Sequence, residues 1–325
     1  MADRGLTHQL MGVASKTARN LLRQKEATIF LALVGIVVLI ALSAPNFLTA
    51  RNAFSVSRQI SFLAILAIGE LFVILTAGID LSVGSIVGLS GVTTGLAMTN
   101  GIVPLAAVAI GLGTGLACGL ISGVLVAYVK VTPFIVTLGM LSVVRGAVWV
   151  ITEGWPITDI PQSFLMVGRS QIFGVAFPVV VLLGIAIVAF ILLNYTAYGR
   201  RSFAIGGNEE ATILSGIDVR RVKLAAYAIS GVLAAVVGIL LVARFSSAQS
   251  AAGEGWELDS IAAAVIGGTS LMGGSGSVLG VIIGASIMGV IRNGLVLMRV
   301  SVYWQTLVIG VIIILAAIID RKRDK

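Results

Sequence analysis

Six ionisable side chains lie within or at the edges of long apolar runs of this sequence, and they are the residues best placed to do chemistry. A charged side chain at the centre of a membrane helix costs roughly 2.5–3.5 kcal/mol on insertion scales, so such residues usually face the interior of a helical bundle. We therefore expect them to lie inside the protein, as structural pairs or along a path for a solute. They are Glu70, Asp80, Arg145, Glu257, Asp259 and Arg292.

Asp80 and Asp259 precede short predicted helices. A carboxylate there caps free backbone N–H groups and interacts favourably with the positive end of the helix dipole. Such a cap would hold a discontinuous helix in shape, so the structural role does not exclude a role in transport. For Glu70, in the middle of an apolar run, pairing with an arginine and a pathway role both stay open. The residues predicted to form the path or its gate are Glu70, Asp80, Ser82, Ser85, Glu257, Asp259 and Ser260.

Motifs for covalent catalysis and nucleotide binding are missing from the sequence. It has no H-E-x-x-H, no Cys/His ligand spacing and no G-x-x-x-x-G-K-[ST] loop. The stretch 274–280 spells G-x-G-x-x-x-G, but a dinucleotide site needs a strand before it and a βαβ unit around it. Both neighbours here are apolar runs, so we interpret the stretch as a tight turn between helices. We predict no catalytic residue and no metal site.

The composition indicates an integral membrane protein. Of its 325 residues, 58% are hydrophobic and 11% are charged, with a mean hydropathy of +1.08, whereas soluble domains carry about 25% charged residues. The apolar runs are continuous rather than alternating, which favours a helical bundle over a β-barrel. Ten helical spans would use about 200 residues. The remainder leaves no room for a nucleotide-hydrolysing domain, so any energy source must lie on another chain.

We predict an all-α fold with about ten transmembrane helices and both termini in the cytoplasm. The net charge of +8 arises largely from basic blocks at 1–28, 199–223 and 321–325, and basic residues collect on the cytoplasmic side of membrane proteins. This topology explains the charge better than nucleic-acid binding does. The residues 1–28 and 321–325 would be tails around a single transmembrane domain at 29–320. The predicted spans are 29–44, 60–77, 82–99, 103–128, 133–152, 174–194, 223–243, 257–272, 278–298 and 302–319.

Two polar breaks suggest that the spans form two inverted halves, at about 29–152 and 174–320. The stretches 78–85 and 255–260 each open the third run of a set of five and lead into a glycine-containing segment. Paired interruptions at matching positions of two halves point to a transport pathway. We expect short, discontinuous helices near 78–99 and 253–272, either of which is short enough to be re-entrant.

Glycines recur every four residues in the fourth run, which places them on one ridge of the helix. Such a ridge lets a neighbouring helix approach closely, so we expect tight packing there. The single cysteine, Cys118, lies in the same run and is interpreted as a small packing residue. The ridge consists of Gly111, Gly115, Gly119 and Gly123.

The largest polar segment, 195–222, contains the signals of one short helix. Asn208 followed by two glutamates is a typical helix start, and Gly216 is a typical stop. A merely solvated loop would need no such helix, so we expect a docking helix for a cytoplasmic partner. The residues assigned to this docking helix are Asn208, Glu209, Glu210, Ala211, Leu214 and Gly216.

From about Pro45 to Asp320 the chain resembles the membrane permeases of bacterial ABC importers for sugars, of the ribose-type branch. Several stretches in the family's order carry this resemblance. They are Ser43–Leu48, Gly78–Ser85, Thr132–Gly139, Gly206–Ala211, Leu214–Ile217, Glu257–Ala263, Val265–Gly274 and Ile291–Leu295. The stretch Glu210-Ala211-Thr212 before Gly216 is similar to the importers' coupling motif, with Thr212 in place of its second alanine.

The resemblance implies inward transport of a small neutral sugar, such as a pentose or a similar polyol, across a bacterial inner membrane. It implies a second permease subunit, expected to be an identical copy, a cytoplasmic ATP-binding subunit and a periplasmic or lipid-anchored sugar-binding protein. ATP and Mg²⁺ would bind the partner subunits, and this chain would bind no cofactor. The outward loops, which also include Arg51, would receive the binding protein. The assigned docking residues are Glu153, Trp155, Gln249, Glu254 and Trp256.

Two alternatives remain at this stage. The chain could import nucleosides, branched-chain amino acids or an autoinducer sugar within the same superfamily. It could also be a secondary transporter driven by an ion gradient, because those proteins use inverted repeats and broken helices too. A carboxylate cluster at the membrane midplane would favour the secondary transporter, whereas the docking helix favours the importer.

Overall fold

A computed structural model describes residues 25–323, so residues 1–24 of the predicted tail at 1–28 and residues 324–325 of the tail at 321–325 lie outside the described part of the chain. The elements in chain order are α1 (Lys25–Ser43), α2 (Ala50–Leu75), α3 (Val83–Thr99), α4 (Pro104–Ala127), α5 (Pro133–Thr152), α6 (Gln162–Arg169), β1 (Gln171–Ile172), β2 (Val175–Ala176), α7 (Phe177–Tyr195), α8 (Ala197–Gly207), α9 (Glu209–Leu214), α10 (Val219–Phe245), α11 (Trp256–Ile266), α12 (Val278–Leu297) and α13 (Val302–Arg323).

The chain folds as a multi-pass, helical membrane protein. Within residues 25–323, seven helices are long and apolar enough to cross a membrane: α1, α2, α4, α5, α7, α10 and α12. Helix α2 begins at Ala50 rather than at residue 60, because the Thr49 side chain accepts a hydrogen bond from the Asn52 N–H and caps the helix there.

The two predicted discontinuous helices are short in the structure. Helix α3 has 17 residues. Helix α11 has 11 residues and is therefore about 16 Å long, too short to cross a hydrocarbon core of about 30 Å by itself. The predicted span at 257–272 thus consists of α11 and the start of a non-helical segment, 267–277, that leads into α12.

Helices α2 and α10 form the centre of the bundle. Helix α10 packs against α2, α3 and α4, whereas α2 packs against α10, α11 and α12. These two helices carry several of the largest fully buried side chains, among them Phe62, Phe72 and Tyr227. Helix α1 lies at the periphery on α12, with about half of its apolar side chains exposed, as expected for a helix whose outer face meets lipid.

The predicted glycine ridge of α4 is the contact surface for α10. A Cβ atom at Gly115 would overlap the carbonyl oxygen of Gly231, and one at Gly119 would overlap that of Tyr227. Gly113, on another face of α4, has open space around it. The ridge therefore brings two backbones together, in the manner of small-residue motifs in membrane helices.

A short β-hairpin between α6 and α7 interrupts the otherwise helical fold that was predicted. Two antiparallel strands, β1 and β2, pair Gln171 with Ala176 and Ile172 with Val175. The intervening residues Phe173 and Gly174 have φ angles of 51° and 79°, and positive values at both central positions are typical of a type I′ hairpin turn. The sequence signal was weak because phenylalanine replaces the usual asparagine or aspartate.

Helix α8 was also missed within the polar segment. Its N-terminus is capped by Thr196, whose hydroxyl accepts a hydrogen bond from the Gly199 N–H. Gly206 lies so close to Leu75 and Gly274 that a Cβ atom there would overlap the Leu75 carbonyl oxygen and the Gly274 nitrogen. Gly274 N–H in turn donates to the Leu75 carbonyl at 3.2 Å. Backbone contacts therefore join α8, the end of α2 and segment 267–277.

Candidate functional site

The first polar break, residues 76–82 between α2 and α3, is organised around Asp80. One carboxylate oxygen accepts hydrogen bonds from the backbone N–H of Ser82 at 3.0 Å and from its hydroxyl at 2.5 Å. The other accepts from the Ser230 hydroxyl of α10 at 2.9 Å. Asp80 is completely buried. It thus fixes the turn before α3 and ties the break to the central helix, but it accepts no hydrogen bond from an N–H group within α3, so the capping interpretation is wrong for Asp80.

Two further side chains hold this break from outside. The hydroxyls of Thr137 and Tyr227 both donate to the carbonyl oxygen of Ile79, at 3.2 and 3.4 Å. Ser85 donates to the carbonyl of Ser82 at 2.8 Å. The break is therefore a fixed turn in which the predicted path hydroxyls are buried and bonded locally.

The second break contacts the first directly. Gly84, in the first turn of α3, lies against Gly253 and Glu257, so a Cβ atom at Gly84 would overlap the Gly253 carbonyl oxygen and the Glu257 carboxylate. The hydroxyl of Ser260 donates to the Glu257 carbonyl at 2.8 Å. The structure thus brings together the two segments that the sequence predicted to be path or gate.

Arg145 joins these segments from α5. Its guanidinium donates to the carbonyl oxygens of Ser250, Ala252 and Gly84, at 3.1, 3.0 and 3.1 Å. The residue is 7% exposed. Arg145 was predicted to be an interior charge, but its partners could not be predicted, because every residue has a backbone carbonyl and the residue type does not show which one is bound.

Asp259 lies inside the first turn of α11, not before it, and its partner is Arg292 of α12. The Arg292 guanidinium lies 2.7 Å from an Asp259 carboxylate oxygen. Asp259 is 5% exposed. The capping interpretation is therefore wrong for Asp259, which instead forms a largely buried ion pair between two helices of the second half.

Glu70 has no arginine partner, so that interpretation is wrong as well. It is completely buried in α2, and within residues 25–323 it forms no ion pair. Neither of its carboxylate oxygens has a hydrogen-bond partner there. Because an isolated buried charge is very costly, we expect a protonated carboxyl group at this position.

The predicted coupling helix is present as α9. The Asn208 side chain caps it by accepting from the Ala211 N–H at 2.9 Å, and Gly216 beyond its end has a φ of 80°. Glu209 pairs with Lys223 of α10 at 2.7 Å, which fastens the helix to the bundle. Glu210, Ala211 and Leu214 are exposed, and Leu214 is 89% exposed. Two adjacent apolar side chains, Ile213 and Leu214, are thus exposed at the end of α9.

The predicted docking residues for a binding protein share one surface at the opposite end of α10. The 27 residues of α10 span about 40 Å from α9 to the loop 246–255. This loop is bridged to the loop after α5 by paired backbone hydrogen bonds of 2.9 Å between Ile157 and Ala248. Ser250 also donates to the Gly154 carbonyl at 2.9 Å. We call residues 153–157 and 246–255 the distal surface.

Exposure differs among the predicted docking residues. Glu153, Gln249 and Glu254 are exposed, and Trp155 is 75% exposed, whereas Trp256 is half-buried. The position of Trp256 suggests a role inside the protein rather than at its surface.

The hydroxyl groups that hold the first break in place were not predicted from the sequence. Ser230 and Tyr227 lie three residues apart in α10, hence on one face of that helix, and both point at the Asp80 turn. Polar residues with that spacing in an apolar span were the available signal. Thr137, the third such group, lies in a stretch that was used only for the family resemblance.

Known proteins match this chain over most of its length. The family described as branched-chain amino acid transport system, permease component, matches residues 52–317. The ribose import permease protein RbsC of Escherichia coli (strain K12) is 43% identical over 322 residues, 98% of this chain and 99% of that protein. The chain belongs to this permease family.

Two further relatives of the permease come from bacteria. The ribose import permease protein RbsC of Bacillus subtilis (strain 168) is 42% identical, with 91% of this chain and 92% of that protein covered. The D-allose transport system permease protein AlsC of Escherichia coli (strain K12) is 38% identical, with 93% of each chain covered. No solved structure matches the permease.

Proposed function

We propose that this permease is the membrane subunit of an ATP-driven importer that carries a small neutral sugar inward across a bacterial inner membrane. The observation that carries the proposal is the nearly end-to-end match to permeases whose names specify ribose. Because the match leaves little room for a different domain organisation, we extend their substrate class to this chain. A pentose such as ribose is the expected substrate.

ATP hydrolysis would take place on a partner subunit that docks on α9. The exposed side chains of Glu210, Ala211 and Leu214 offer that partner an acidic and apolar surface. The Glu209–Lys223 ion pair would transmit a push on α9 to the central helix α10. The chain itself would bind no nucleotide, and a second copy would complete the transport unit.

The two halves of the chain would be inverted repeats with ten crossings and cytoplasmic termini. Reciprocal packing supports this arrangement: α10 packs on the glycine-rich α4 of the first half, and α2 packs on the glycine-containing α12 of the second half. Each short helix, α3 or α11, packs against the glycine-rich helix that follows it. Segment 267–277 would complete the crossing begun by α11, since non-helical backbone is tolerated within the membrane where protein covers it.

The solute path would run beside the two breaks, between the α9 side and the distal surface. The distal surface would face outward and receive the sugar-binding protein. Movement of one half against the other would open the path alternately to the two sides. Asp80, Ser82, Ser85 and Ser260 would act by keeping the breaks in shape.

The decisive experiment is transport by the purified complex in sealed vesicles. The permease is co-reconstituted with its ATP-binding subunit and its binding protein, and uptake of labelled ribose is measured with ATP, without ATP and with an imposed ion gradient. We expect uptake that depends on ATP and on the binding protein. Uptake driven by the ion gradient alone would refute the proposal and favour a secondary transporter.

A further inference from the structure

A cavity of about 230 Å³ lies beneath the distal surface, where α3, α10 and the loop 246–255 meet. Its buried floor includes Gly91 and Gly238, which lie at the crossing of α3 with α10. Phe245 and Trp256 line it, and the exposed polar residues Gln249 and Glu254 complete the lining. Pockets for drug-sized ligands measure about 300–1,000 Å³, so this cavity fits a smaller molecule.

Hydrogen bonds fix the backbone of the loop that borders the cavity. Arg145 donates hydrogen bonds to the carbonyl oxygens of Ser250 and Ala252, and Ala248 is bridged to Ile157. One face of Phe245 lies near the guanidinium of Arg244, 5.0 Å from the ring centroid. The backbone of the loop that carries Gln249 and Glu254 is therefore held in place before a ligand arrives, which reduces the entropic cost of binding.

The lining chemistry fits a polyhydroxylated ring. A monosaccharide presents a patch of C–H bonds, which packs on the electron-rich face of an aromatic ring such as Trp256. Its hydroxyl groups require both donors and acceptors, and the Gln249 amide supplies both, whereas the Glu254 carboxylate accepts. The small glycine floor leaves room for the ring.

The charge of the cavity disfavours an amino acid. Among the described residues that line it, Glu254 is the only charged one. The carboxylate of an amino acid would therefore meet no cation there and would be repelled by Glu254. Two cations lie nearby: Arg145 is already committed to three backbone carbonyls, and Arg244 lies against the Phe245 ring and does not line the cavity.

We propose that this cavity is a sugar-binding site of the permease itself, in which Trp256 provides the stacking surface and Gln249 and Glu254 bind the hydroxyl groups. The proposal rests on the proposed function as a sugar importer and assigns a place to its substrate. Trp256 also lines a smaller space of about 20 Å³ together with Asp259 and Arg292. A sugar that moves past Trp256 would therefore next meet polar groups.

Direct binding of radiolabelled ribose tests the site. The permease with its ATP-binding subunit is placed in lipid nanodiscs without the binding protein, and bound ribose is measured at millimolar concentrations. We compare W256A, which removes the stacking surface, with A251W, which fills the cavity from the exposed Ala251 position. The matched control is W155A, which removes an exposed tryptophan of the distal surface that does not line the cavity.

We expect W256A and A251W each to weaken ribose binding about tenfold or more, while W155A binds ribose as the wild type does. The affinity of the sugar-binding protein for the nanodisc complex, measured on the same samples, should be unchanged in W256A. Wild-type binding that neither variant alters, or no ribose binding by the wild type, would overturn the cavity site. The cavity site would also be overturned if W256A lost affinity for the sugar-binding protein but bound ribose as the wild type does.

Failure of the proposed function would look different. In that case the complete wild-type complex in vesicles would take up no sugar with ATP. If instead that complex transports ribose and W256A and A251W transport it at the wild-type rate, sugar import stands and the cavity site does not.

Discussion

The guanidinium of Arg145 lies 3.1 Å from the carbonyl oxygen of Gly84, and the same side chain reaches Ser250 and Ala252. One residue of α5 thereby connects the start of α3 with the loop before α11. The two breaks of the bundle are thus a single mechanical unit, although more than 160 residues of chain separate them.

Replacement of Arg145 by methionine should separate this unit. The change keeps the apolar stem but removes three charge-assisted hydrogen bonds, and we expect a loss of about 3 kcal/mol in stability. The thermal unfolding midpoint in detergent and deuterium uptake by residues 246–255 measure the effect. R200M, at an exposed arginine of α8, serves as the control. Equal midpoints for R145M and R200M would contradict the assignment.

The Asp259–Arg292 pair should behave as a largely buried ion pair. R292M leaves the Asp259 carboxylate without its cation, which should cost about 3–5 kcal/mol. The double variant D259N/R292M removes both charges and should regain most of that stability. Unfolding midpoints of the two single variants and the double variant complete the cycle. If the stability loss of the double variant equals the sum of the two single losses, the side chains do not interact as the 2.7 Å distance indicates.

Two glycines of α4 form a matched pair of tests for helix packing. A methyl group at Gly115 would meet the Gly231 carbonyl, whereas one at Gly113 meets no atom within 4 Å. We expect G115A to lower stability by about 1–3 kcal/mol, a typical cost of overpacking, and G113A to leave it unchanged. Comparable unfolding midpoints of the two variants would show that α4 and α10 are farther apart than described.

If α9 couples ATP hydrolysis to transport, a change on its exposed face should separate the two activities. Glu210 is exposed and forms no ion pair within residues 25–323, so E210K should leave the fold intact while reversing the charge offered to the ATP-binding subunit. We expect sugar uptake to fall about tenfold or more, with ATP hydrolysis continuing. Uptake and hydrolysis are measured in the same vesicles.

E209K provides the comparison for that variant. Glu209 is fastened to Lys223, so its reversal should also loosen α9 and increase deuterium uptake there, which E210K should not do. Normal uptake by E210K would remove the basis for the coupling role.

Features that depend on local chain chemistry could be predicted from the sequence. Asn208 and Gly216 mark the ends of α9 because a cap and a positive φ leave clear signatures. The glycine ridge of α4 was predictable for the same reason, since only residues without side chains allow such contact. The family relationship also rests on stretches of this kind.

Features that depend on contacts distant in sequence could not be predicted. The partners of Asp80 and Asp259 could not be predicted, because Ser230 and Arg292 come from other helices. The absence of an ion pair at Glu70 within residues 25–323 likewise depends on how other helices pack around it. The length of α11 was overestimated because the apolar composition continues past Gly267, where the helix ends.

The glycine contact between α8 and the bundle has a consequence for how force travels. Gly206 meets Leu75 and Gly274 through main-chain atoms, so there is no side chain between them that could change rotamer and absorb a displacement. Leu75 immediately precedes one break, and Gly274 belongs to the segment that follows the other short helix. A displacement of α8 should therefore displace the end of α2 and segment 267–277 together, because the backbones are in direct contact.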